Sequence, residues 1–328
     1  MKKFISIVMI AIMLLSVSGV VFAANLPEKP NNFPTSTITC VVGFTAGGGV
    51  DTAARLLLKY AQKYIDVPIV VNNVTGAAGA VAVTQSLAKK ADGTTLISIA
   101  TGAMLGDITG AVSYNFLDDL KMVAIQDMVP YALVFRSDDD RFSTPQEFIE
   151  YVKAHPNELT VATSGVNNAN YFAAKSFFED NGMAVDIIPF NGSADAKTGF
   201  LGGHVDLFCE TLLETIQMAK DGSAKFVCTF GDEPYVDGVA TNKDLGMKMS
   251  VTGTFRGYAY KTGTPQEVID YLSAIFKICE EDPEFVAECA KLGLDKCISY
   301  LSPAQATEFM KGQYASYTEF CKQLGIAK

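Results

Sequence analysis

Short β-branched runs, each followed by a glycine-containing turn and an apolar stripe at helical spacing, recur along most of the chain. Residues 36–42 form the first run and predict a buried strand. From residue 52 to 64, Ala53, Ala54, Leu57, Leu58, Ala61 and Tyr64 share one helical face. Between the two, Gly43-Phe44-Thr45-Ala46-Gly47-Gly48-Gly49-Val50-Asp51 must turn a strand into a helix. A second unit follows about thirty residues on: a strand at 68–71, the loop 72–79, and a small-residue helix at 80–89. A third strand at 95–100 closes on Thr101-Gly102-Ala103. Three such strands in parallel put all three loops at the carboxyl edge of one sheet, where open α/β sheets bind ligands.

The pattern continues through the second half. Residues 129–135 are an apolar strand that can pass from a first lobe to a second. Thr144-Pro145-Gln146-Glu147 is a capping box with proline at the first helical position, opening a helix to Ala154. A strand at 159–163 delivers Ser164-Gly165-Val166-Asn167-Asn168-Ala169-Asn170 to a helix start, and a strand at 186–190 delivers Asn191-Gly192-Ser193-Ala194. Gly202 to Phe208 turns into a short strand, and 251–260 reads as a strand returning to the first lobe. Two more capping boxes, at 264–267 and 302–305, open long helices whose aromatic residues Tyr271, Phe276, Phe285, Phe309, Tyr317 and Phe320 are predicted to pack in the core.

Residues 1–23 carry a different pattern. Lys2 and Lys3 precede an apolar run from Phe4 to Leu15 and a small-residue site at Val21-Phe22-Ala23, the layout of a cleaved export signal. Removal takes two lysines and no acid, so the net charge of −10 becomes −12, which disfavours nucleic acid and anionic membranes as partners. Seven cysteines and two histidines form no Cys-x-x-Cys or zinc spacing, so buried free thiols are the preferred reading and no metal is expected.

The first loop is the centre of the candidate chemistry. Glycines let a ligand approach main-chain N–H groups, and a helix N-terminus leaves those groups unpaired with a partial positive charge. It is neither a P-loop, since Gly48-Gly49 runs into Val50-Asp51, nor a dinucleotide fingerprint, since Thr52 stands at the sixth place from Gly47; no cofactor is expected. Hydroxyl and amide groups from Thr163 to Asn170 can face that loop across a cleft and hold a carboxylate's second oxygen, or simply cap a helix. Asp206 and Glu210 either read a cationic or hydroxyl group in the cleft or are solvated acids at a strand end. Arg256 is either a carboxylate clamp or a surface arginine. Ser164 lies outside any Gly-x-Ser-x-Gly context and neither His155 nor His204 has a placed acid partner, which counts against a secreted hydrolase.

These residues resemble the extracytoplasmic substrate-binding proteins of the tripartite tricarboxylate transporter group, the Bug family. The likeness lies in Val41-Val42-x-Phe44-x-Ala46-Gly47-Gly48-x-x-Asp51-x-x-Ala54-Arg55, in Val70-Val71-x-Asn73-x-x-Gly76-Ala77-x-Gly79, and in Asp92-Gly93-x-Thr95-Leu96. It continues in order through Ala162-Thr163-Ser164-Gly165, residues 189–194, residues 201–206 and Gly263-Thr264-Pro265. The sequence departs from the family where Gly43 and Thr45 replace prolines, and at Asn72, Val74, Thr75 and Ala78 in the second loop.

The resemblance implies a two-lobed α/β fold of the type II periplasmic binding-protein kind, with a ligand cleft between lobe 1 (24–127 and 251–328) and lobe 2 (128–250). It implies a monomeric, non-enzymatic extracytoplasmic or periplasmic protein that captures a small organic anion, a carboxylate, and delivers it to membrane permease subunits. A sensor ectodomain that docks a receptor is the alternative. The ligand-binding set it implies is Phe44, Thr45, Ala46, Gly47, Gly48 and Asp51 in the first loop, then Thr101, then Thr163, Ser164, Gly165, Asn167 and Asn170. Phe190, Asn191, Ser193, Asp206 and Arg256 complete it; Phe44 and Phe190 read equally well as core.

Overall fold

The computed structural model describes residues 27–166 and 168–328. The export signal predicted at 1–23 and the candidate site residue Asn167 therefore lie outside the described residues. Ten strands build one continuous twisted sheet. In chain order they are β1 Ile38–Val42, β2 Ile69–Asn73, β3 Thr95–Ala100, β4 Leu120–Arg136, β5 Thr160–Thr163, β6 Asp186–Pro189, β7 Leu207–Thr211, β8 Ala224–Thr229, β9 Gly253–Lys261 and β10 Ile298–Leu301. Their spatial order is β2-β1-β3-β9-β4-β7-β5-β6, with β8 and β10 also paired to β4.

Two halves meet in β4. Strand β1 runs parallel to β2 and β3, so the loops after all three strands leave the same edge, as the pattern of three strand–loop–helix units predicts. Residues Leu120 to Pro130 of β4 pair antiparallel with β9, whereas Tyr131 to Phe135 pair with β7. The apolar run at 129–135 is thus the far part of a 17-residue strand that serves both halves. The second crossing lies between β8 and β9. Each half is a sheet sandwiched by helices, and the molecule is a two-lobed α/β fold with a cleft between the halves.

Local chemistry explains most boundaries. The helix Pro145–Ala154 starts at a complete capping box between Thr144 and Glu147, and Pro303–Gln323 at one between Ser302 and Gln305. The third box does not form: the helix Gln266–Glu280 starts behind Pro265, and the Thr264 hydroxyl donates instead to the Lys261 carbonyl. All seven cysteines are free and buried. Tyr271, Phe276, Phe285 and Tyr317 are buried, while Phe309 and Phe320 pack partly buried against the core.

Candidate functional site

Helices whose N-termini face solvent or neighbouring chain are commonly capped by a side chain, and here Asn115, Thr144, Asn168 and Asp282 each accept from a backbone N–H at a helix start. The helices Ala80–Leu87 and Gln266–Glu280, behind Gly79 and Pro265, lack such a cap, and so do four more. Gly49–Ala61, Thr101–Ile108, Ser193–Leu201 and Leu212–Lys220 begin behind Gly48, Ala100, Gly192 and Thr211, none of which makes a side-chain cap bond. All four of these residues line one cavity of about 370 Å³. Unpaired N–H groups and the positive ends of four helix dipoles therefore converge on it, two from each half of the sheet.

The loop after β2 completes the wall. Ala77 and Ala78 lie in the left-handed region, at φ 46° and 51°, and line the cavity with Thr75 and Gly76. Such backbone is uncommon for a residue with a Cβ and is held here by its neighbours. The first two loops touch: a Cβ on Gly43 would stand 2.5 Å from the Gly79 Cα, so only glycine permits this approach. Gly102 is equally confined, its Cβ position lying 2.5 Å from the Ala78 carbonyl oxygen.

Of the residues singled out from the sequence, Phe44, Thr45, Gly48, Ser164, Gly165, Phe190, Asn191, Ser193 and Arg256 line the cavity. Phe44 and Phe190 are half-buried there, and the Phe190 ring also packs on Gly199. Ala46 and Gly47 are exposed on the outer turn of the first loop and do not line it. Asp51 turns inward to brace the loop: its carboxylate accepts from the Gly47 N–H at 2.8 Å, from Arg55 Nε at 2.8 Å and from Asn73 Nδ2 at 2.8 Å. Burial raises its pKa, but those three donors and the Arg55 charge outweigh it and hold the carboxyl below its ordinary value.

Three more residues stand one layer back. The buried Thr101 hydroxyl shares a hydrogen bond of 3.0 Å with Thr254, which does line the cavity. Thr163 is fully buried behind Phe190, whose N–H donates to the Thr163 carbonyl at 2.8 Å. Asn170, also fully buried, donates to Ser164 Oγ at 2.9 Å and to Glu210 Oε2 at 2.8 Å. Asp206 is directed elsewhere. It accepts from the N–H and hydroxyl of Thr160 at 2.8 and 2.7 Å and pairs with Arg141 at 2.5 Å; it precedes strand β7 at the amino end, whereas Glu210, four residues on and near the carboxyl end, reaches the cavity.

Arg256 reaches the cavity, but its guanidinium is engaged. Nε and Nη2 donate to the two oxygens of Asp127, each at 2.7 Å, and Nη1 donates to the Gly49 carbonyl at 2.8 Å. It is a buried strut between the floor and the first loop, not a surface arginine or a free clamp. Tyr131, Asn168, Thr211, Glu214 and Thr254 line the cavity without a motif to flag them. The available signal was composition: Glu210 and Glu214 are acids inside the apolar run 207–218. Burial, then the neighbouring Glu214 charge, pushes the Glu210 carboxyl up to about 7, and burial likewise raises Glu214. His204 is exposed, and His155 stacks on Tyr151 at 4.1 Å between ring centres.

A two-lobed α/β fold with uncapped helix N-termini aimed into an interlobe cavity is the construction of the periplasmic binding proteins. The sequence profile of the "Tripartite tricarboxylate transporter family receptor" matches residues 53–326, and the chain belongs to that family. It is 24% identical over 320 residues to the protein BugT of Bordetella pertussis, covering 95% of this chain and 97% of that one. Among solved structures it is similar to MatC of Rhodopseudomonas palustris with bound malate, at TM-score 0.78 and 24% identity over 88% of this chain and 99% of that one. A second R. palustris protein, with adipate, superposes at TM-score 0.83 and 22% identity over 90% of this chain and 99% of the other. Among the described residues no helix is long and apolar enough to cross a membrane.

Proposed function

We propose that the mature chain is an extracytoplasmic solute-binding protein that captures a small organic carboxylate in the interlobe cavity and delivers it to the permease of a tripartite tricarboxylate-type transporter. The observation that carries this reading is the convergence of four uncapped helix N-termini on one cavity of about 370 Å³, since such N-termini favour an anion. The malate- and adipate-bound proteins of the same fold support it. The ligand carboxylate accepts from the backbone around Gly48–Val50 and from the groups at Ser164 and Ser193, while Phe44 and Phe190 flank its carbon chain. We assign residues 24–127 and 251–328 to lobe 1 and 128–250 to lobe 2, with the two crossings acting as a hinge that closes on the ligand. The predicted signal at residues 1–23 directs the chain out of the cytoplasm.

Thermal unfolding of protein stripped by denaturation and refolding tests the reading, against mono-, di- and tricarboxylates with neutral sugars as controls. A ligand at a hundredfold excess over its Kd stabilises the native state by about 2.7 kcal/mol. A rise confined to carboxylates supports capture of an organic acid; a rise with sugars alone overturns it.

A further inference from the structure

We propose that the ligand of this cavity is an amino acid, or an acid of similar size bearing an ammonium group, and that Glu210 and Glu214 together receive that ammonium. This rests on the carboxylate-capture reading above and adds to it the second charge of the ligand.

The two acids occupy one wall. Glu210 is the penultimate residue of strand β7, Glu214 sits in the first turn of the helix Leu212–Lys220, and both line the cavity. Glu210 is 4% exposed and is fixed by neutral donors only: Asn170 Nδ2 at 2.8 Å, Ser193 Oγ at 3.2 Å and the Thr211 N–H at 2.9 Å. On the same wall, Glu214 Oε1 is buried without a hydrogen-bond partner. It leans toward the Gly49 N–H without reaching hydrogen-bond geometry, and a Cβ at Gly49 would stand 3.4 Å from it. Among the described residues neither glutamate has a lysine or arginine at salt-bridge distance. Lys197 and Arg256 act on Glu214 only through space, and Arg256, the one cation in the lining, has its donors taken by Asp127 and the Gly49 carbonyl.

The cavity therefore carries two carboxyls with no cation of their own, beside helix N-termini suited to an anion. Burying a carboxylate without a partner is costly, and two close together repel. Their raised proton affinity is the expected response. A plain dicarboxylate would add like charge to this wall. An ammonium group supplies the missing counter-charge and several donors at once, filling the open valence of Glu214 Oε1 and leaving the ligand carboxylate to the N–H groups. The same geometry gives the wall a sorting role, because an acid lacking the ammonium leaves both glutamates unpaired.

Calorimetric titration of stripped protein with pairs that differ in the ammonium tests this: aspartate against succinate, and glutamate against glutarate. The expected result is that the amino member of at least one pair binds ten-fold or more tightly than its partner. Glu214→Gln should then shrink that ratio at least five-fold without weakening the plain acid. If plain acids bind as tightly as amino acids or more so, the inference is overturned while carboxylate capture stands. If no member of either pair binds, the inference falls, and the wider thermal screen decides carboxylate capture separately. Should Glu214→Gln not fold, Glu214→Ala replaces it, and the comparison of pairs on the unaltered chain decides by itself.

Discussion

Asp127 and Arg256 face each other directly across β4 and β9, and their side chains close a two-pronged ion pair with both contacts at 2.7 Å. Both residues are buried, at 3% and 2% exposure, so neither charge has water to fall back on. Removing one partner strands the other. Asp127→Ala should destabilise the protein by about 3–5 kcal/mol, measured by urea unfolding, whereas Asp127→Leu combined with Arg256→Met should recover most of that loss. A double variant as unstable as the single one would show that the Arg256 contact to Gly49, not the pair, holds this region.

Asp51 ties the first two ligand loops together through Gly47, Arg55 and Asn73. Asp51→Ala removes the acceptor of three hydrogen bonds and should cost about 1.5–3 kcal/mol while weakening ligand binding. The folded pKa lies below the ordinary value of 3.8. The stabilisation is therefore complete above that value and is lost as pH falls through the folded pKa, so acid unfolding of wild type and Asp51→Asn should converge below it. Curves that stay parallel down to the lowest pH would count against the bracing role.

Gly43 and Gly79 meet backbone to backbone, and a methyl group on Gly43 would come within 2.5 Å of the Gly79 Cα. Neither side can yield without separating the loops. Gly43→Ala should cost about 1–3 kcal/mol as an overpacking defect and weaken ligand binding more than ten-fold. Gly312→Ala, with nothing within 4 Å of its Cβ position in the helix Pro303–Gln323, is the matched control and should be neutral or slightly stabilising.

Glu280 is buried with both carboxyl oxygens unpartnered, and burial, then the Asp127 charge, pushes its pKa up to about 9. Between its ordinary value of 4.5 and about 9, the unfolded chain has lost this proton and the folded chain keeps it. Stability contributed by this group therefore falls as pH rises through that window, by about 1.4 kcal/mol per pH unit at most. Glu280→Gln carries no titrating proton, so its stability relative to wild type should improve steadily from pH 5 to pH 9. A difference that does not change with pH would refute the assignment.

Much of the fold was legible in the sequence because it was written in local terms. The predicted strand at 95–100 coincides with β3, and the capping boxes at Thr144 and Ser302 start helices at Pro145 and Pro303. Where the pattern failed, a long-range partner had decided. The first part of β4 and the short β8 and β10 exist because they pair with β9 or β4, and isolated sequence carries no sign of that partner. The Thr264 box is absent because its hydroxyl found the Lys261 carbonyl first.

The site divides in the same way. The chain alone determined that glycine loops follow parallel strands and that Gly43 to Asp51 opens a helix, since backbone freedom and hydrophobic periodicity are properties of neighbouring residues. Only the tertiary structure decided which side chains those loops would face. It engaged Arg256 with Asp127, sent Asp206 to Arg141 outside the cavity, and left Glu210 and Glu214 inside it. Charges act through space and are priced by burial, so their roles depend on residues more than a hundred positions away, as Asp127 is from Arg256.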